Sequence, residues 1–99
     1  MSDGVAKDFE ADLSNDDGSI GTIRVSPDAR VSPKVSGVSY SGNKAMLQGY
    51  LSTTIRLEEH LDLTGRAILD NARKILNAEG KNDPGKRAGG IKVSAIREV

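Results

Sequence analysis

A chain of 99 residues suffices for one small domain and is too short for two ordinary ones. It has no Cys and a single His, His60, which excludes disulfide frameworks, thiolate metal centres and histidine-only metal sites. One Phe, two Tyr and no Trp leave the core to aliphatic residues. Fourteen basic and fourteen acidic residues cancel, so the overall positive excess of a nucleic-acid binder is missing. A hydrophobic share of 36% is low enough to suggest a partly ordered monomer or a subunit whose core is completed by neighbours.

The neutral total conceals a gradient. Residues 1–20 hold six acids and one Lys, a net of −5, residues 21–79 carry +2 and residues 80–99 carry +3. An acidic head and a basic tail suit head-to-tail contact between copies, or docking of each end on a different partner. No apolar run reaches membrane-span length and no charged-then-apolar leader opens the chain, so no membrane partner is expected. Assembly in the cytoplasm is expected instead.

In chain order, residues 1–19 are polar and acidic with isolated Val5, Phe9 and Leu13. These recur every four residues, the spacing of a short amphipathic helical face, before "SNDDGS" stops the run. The expectation is an acidic arm, extended or disordered until it meets a neighbour, with Phe9 and Leu13 as its contact residues. Residues 20–99 then form a single small domain. Ile23 and Val25 alternate with Thr22 and Arg24 as a strand does, while Ser26-Pro27 and Ser32-Pro33 interrupt the run. Pro donates no amide hydrogen, so an edge strand or an extended arm is expected there rather than a central strand. Val35, Val38 and Tyr40 suggest a second strand.

From Asn43 the pattern turns helical. Leu47 and Leu51 mark a short helix at about 43–50, and a long one, either separate from it or continuous with it, is expected at about 54–79, with capping hydroxyls offered by "STT" at 52–54. Leu57, Leu61, Gly65, Ile68, Ala72 and Ile75 repeat at three- and four-residue steps and define its core face. Asp62, Arg66, Asp70 and Lys74 form an alternating-sign ladder elsewhere on its surface, each pair contributing about 0.3 kcal/mol. Gly80 reads as the helix stop. Ile91 to Ala95 alternate as a strand, with a bulge or strand end expected at Ile96.

"GKNDPGK" at 80–86 matches the core of a phosphate-binding loop, but a helix enters it and a strand leaves it, the reverse of the required order. Arg87 also stands where a Mg²⁺-binding hydroxyl belongs. Glu58, Glu59, His60 and Asp62 do not converge on a helix, and no Ser sits in a nucleophile elbow. Neither an enzyme nor a bound cofactor or metal is expected. Lys81, Lys86 and Arg87, with Lys92 and Arg97 beyond them, make a basic region that could grip an acidic protein neighbour. Nucleic acid is the lesser candidate, for want of aromatic stacking residues and a recognition helix.

The segment "GRAILDNARKILNAEGKNDPGKRAGGIKVSAI", about a third of the chain, resembles the helix–loop–strand core of the small neck and tail-completion proteins of long-tailed bacteriophages. Ala67, Ala72, Ile75, Pro84, Gly85, Arg87, Ile91 and Val93 carry the likeness, with "DPGKRAGG" in place of that family's Thr-Gly loop step. The resemblance implies a non-enzymatic α+β subunit of a virion, a head–tail connector or tail protein acting as a homo-oligomer with other virion proteins. In this reading one long helix packs on a small antiparallel sheet built from residues 20–40 and 91–98. The alternative is a small phage or bacterial regulatory protein that binds a host protein or nucleic acid.

Overall fold

The computed structural model describes residues 7–57, 62–82 (the last five as backbone only) and 91–99. The chain folds as β1 (Phe9–Asn15), β2 (Gly18–Arg30), β3 (Ser36–Gly42), α1 (Lys44–Leu57), α2 (Arg66–Asn82), β4 (Lys92–Val93) and β5 (Arg97–Glu98). The sheet is antiparallel in the order β3-β2-β1-β4, and β5 continues the edge of β4 along β1. Among the described residues the architecture is therefore α+β, with one antiparallel sheet and two helices.

β1 lies inside the sheet, between β2 and the β4–β5 edge, so the expected acidic arm is corrected over residues 9–15. Residues 1–6 lie outside the described residues. Ala11 and Leu13 are fully buried and Phe9 packs against the core, while Glu10, Asp12 and Ser14 point the other way. That is the period of two of a half-buried strand. The turn into β2 comes from "NDDG". The Asp17 amide donates to Asn15 Oδ1 at 2.8 Å, and Gly18 takes up the positive φ of 121° that closes the hairpin.

β2 is also an internal strand, although it contains Pro27. Pairing with β3 runs from Gly21↔Gly42 to Val25↔Val38 and then shifts, resuming only at Arg30↔Ser36. Pro27 sits in the stretch that leaves the ladder, where its missing amide costs no pairing. Ile23, Val25 and Ala29 are buried on the side of the helices.

The helical half breaks after Leu57 rather than near residue 50, giving two helices of similar length, α1 and α2, in place of a short helix and a long one from residue 54. Asn43 caps α1, its Oδ1 accepting from the Met46 amide at 3.2 Å. Leu47, Leu51 and Thr54 form the buried stripe of α1, so "STT" lies inside the helix instead of capping a new one. The Thr53 and Thr54 hydroxyls donate to the carbonyls of Gly49 and Leu51. The chain then turns at Gly65, which is buried with φ of 52° and accommodates Pro27 of β2 closely. Leu57 is 55% exposed at the end of α1 and does not belong to the expected core stripe. Leu61 lies outside the described residues. Ile68, Leu69, Ala72 and Leu76 carry the buried face of α2, with Ile75 at its margin. α2 continues through Gly80 to Asn82. Glycine weakens a helix by about 1 kcal/mol relative to Ala but does not forbid it, and the next Pro after the start of α2 comes only at 84.

Candidate functional site

Because both helices bury their apolar stripes on one face, the other face of the sheet is left to its polar side chains. Across the strands these fall in rows, Asp12 beside Thr22 and Ser41, and Glu10 beside Arg24 and Ser39. Arg97 of β5 lies across from Glu10 and spans two rungs of β1. Its Nη1 and Nη2 donate to Asp12 Oδ2 and Oδ1 at 3.1 and 3.0 Å, and its Nε and Nη2 donate to Glu10 Oε1 at 3.1 and 2.8 Å. On the far side Arg24 Nε meets Asp8 at 3.1 Å and Nη1 approaches Glu10 at 3.8 Å. Three carboxylates and two guanidiniums thus interleave along β1, and the ladder carries one residual negative charge.

The Arg97 guanidinium, helped by the Thr22 hydroxyl at 2.7 Å, holds the Asp12 carboxyl below its ordinary pKa. A shallow depression of about 240 Å³ beside the ladder is lined by Glu10, Thr22, Arg24, Ser39, Tyr40 and Ser41. Burial pushes the Tyr40 hydroxyl up, so it stays neutral at physiological pH.

The two edges of the sheet differ. At the β4 edge Asn77 of α2 stands in for a further strand. The Val93 amide donates to Asn77 Oδ1 at 2.9 Å, and Asn77 Nδ2 donates back to the Val93 carbonyl at 3.3 Å. Arg73 Nε takes the Ser94 carbonyl at 3.1 Å. Between β4 and β5 the register slips by one residue around Ile96, and the Ser94 hydroxyl accepts from the Asp12 amide in place of a carbonyl. This edge is short, kinked and charged, and its β4 half is sealed. β3 is the opposite case, seven residues long and uncharged, "SGVSYSG". Among the described residues no strand pairs with its outer side.

The expected contact residues fall elsewhere. Leu13 is 1% exposed and Phe9 is half-buried against the core, so both hold the fold and Leu13 offers no surface to a partner. The Lys81 backbone is in α2, its side chain lying outside the described residues, as do Lys86 and Arg87. Lys92 is exposed, whereas Arg97, counted on sequence with the basic tail, is committed to Glu10 and Asp12. The ladder and the open edge leave no mark in local periodicity, because each depends on pairing between distant strands. Alternation of Glu10 and Asp12 with Ala11 and Leu13 was the available signal for β1. No family model, curated protein or solved structure matches this chain.

Proposed function

We propose that this chain is a non-enzymatic structural subunit of a phage virion, of the neck, head–tail connector or tail-completion class, acting by assembly with its own copies and with other virion proteins. The observation that carries the assembly reading is the uncharged outer edge of β3, whose backbone groups call for another strand. The virion reading rests on the resemblance of residues 65–96, and the succession of α2 and β4 is consistent with the order of elements in that family. The residual negative charge of the ladder disfavours phosphate on the open face, which supports a protein partner over nucleic acid.

Sedimentation velocity and negative-stain electron microscopy of the purified chain test this reading. Discrete oligomers of ring or sleeve form are expected, and a sharply monomeric profile at high concentration overturns it. Salt-dependent retardation of DNA or RNA, lost on combining Lys86→Ala with Arg87→Ala, would instead favour a regulatory protein that binds nucleic acid.

A further inference from the structure

The β3 edge can be assigned an occupant from its own pattern. The Asn43 amide donates to the Ile20 carbonyl at 2.9 Å, in register with the β2–β3 ladder. Hydrogen-bonding direction alternates along an antiparallel strand, so Ser41 and Ser39 also direct their backbone groups toward β2. Those of Val38 and Tyr40 point outward, to the open edge.

We propose that this edge pairs with the β3 of a second copy, antiparallel about a two-fold axis at Ser39, joining two sheets into one. This deepens the assembly reading above and rests on it. Three observations select the occupant. A head-to-tail sheet would need the β4–β5 edge of the next copy, where Asn77 and Arg73 occupy the backbone groups of Val93 and Ser94 and β5 offers only the two charged residues Arg97 and Glu98. The contact is therefore isologous, β3 on β3. The strand is also self-complementary in the centred register. Val38 of each copy lies opposite Tyr40 of the other as a hydrogen-bonded pair, using the groups that point outward. Val38 and Tyr40 are both half-buried on the helix side, where aromatic and β-branched residues make favourable cross-strand pairs. Finally, the strand has no Lys, Glu, Asp or Pro to repel a copy of itself, the usual protection of an exposed edge. Ser39 meets Ser39 of the second copy on the polar face as a non-hydrogen-bonded pair. Larger assemblies built on this contact contain an even number of subunits.

The test uses the full chain, whose lack of Cys makes one introduced thiol unambiguous. In the centred register the two residues at 39 have Cα atoms about 4.5 Å apart, within disulfide reach. Ser39→Cys is expected to oxidise to a covalent dimer on a non-reducing gel. By light scattering the unaltered protein is expected to be dimeric or an even multimer. Ser39→Glu, placed beside Arg24 of its own copy, keeps the fold but sets two carboxylates face to face. It is expected to raise the dimer dissociation constant by roughly tenfold or more, and mixing it with Ser39→Lys is expected to restore pairing. Assembly that persists unchanged in Ser39→Glu, without Ser39→Cys crosslinking, overturns the β3 contact and leaves the assembly reading standing. A monomer throughout, with no crosslink, overturns both.

Discussion

Gly65 carries the path between the helices on one backbone conformation. Its amide donates to the Ala29 carbonyl at 2.8 Å, and a Cβ built on it would meet the Pro27 carbonyl oxygen at 2.8 Å. Positive φ and this close approach both select glycine. Gly65→Ala is expected to cost about 1–3 kcal/mol, read as a lowered urea midpoint. Sequence periodicity puts Gly65 inside a long helical stripe, whereas the structure puts it at the turn between α1 and α2. A glycine spacing cannot distinguish a helix face from a turn, because the deciding contact is with Pro27, far away in sequence.

The Asp12 carboxyl is held below its ordinary value of 3.8, first by its hydrogen bond from Arg97 and then by Thr22. Since its folded pKa is the lower one, the ionised form contributes stability that is fully present above the ordinary value. That contribution is lost as pH falls through the folded value. Arg97→Ala is therefore expected to flatten the acid limb of stability, measured as denaturant midpoints from about pH 5 to about pH 2. Both side chains are about half exposed, so solvent screens the effect.

At the scale of elements, Phe9 and Leu13 fit an amphipathic arm and a strand of a sheet equally well by spacing. A spacing of four fits one helical turn and also two strand repeats, and only the intervening Ala11 separates the readings. The acidic residues between them suggested solvation, whereas in the sheet Glu10 and Asp12 are matched by Arg24 and Arg97 from other strands. The helices show the reverse lesson. Leu47 and Leu51 are legible as a buried stripe from spacing alone, but Leu57, which heads the stripe expected of the long helix, lies exposed at the end of α1. Leu47→Ala is accordingly expected to cost about 2–5 kcal/mol in chemical denaturation. Leu57→Ala is expected to stay within about 0.5 kcal/mol.

For the whole molecule, the position of β1 has the largest consequence. It pairs with β2, β4 and β5, and Ala11 and Leu13 complete the core beneath α2. Removing residues 1–15 is therefore expected to abolish the cooperative unfolding transition, followed by circular dichroism against temperature. A dispensable arm would leave that transition intact. The sparse hydrophobic content is reconciled in the same way, because the aliphatic residues are concentrated on one face of one sheet and the facing stripes of two helices.

What the sequence determined by itself was local. Alternation marked strands at Ile23–Val25 and around Ile91–Val93, three- and four-residue steps marked the helical half, and the absence of Cys and Trp set an aliphatic core. These follow from neighbours a few residues apart, which periodicity and propensity record directly. Tertiary structure alone decided which strand is central, where Gly65 breaks the helical half, how Arg97 is neutralised by residues 85 and 87 positions away, and which sheet edge is sealed. Each of those is a long-range pairing. Its energy comes from burial and hydrogen bonds between segments whose separation along the chain leaves no local trace.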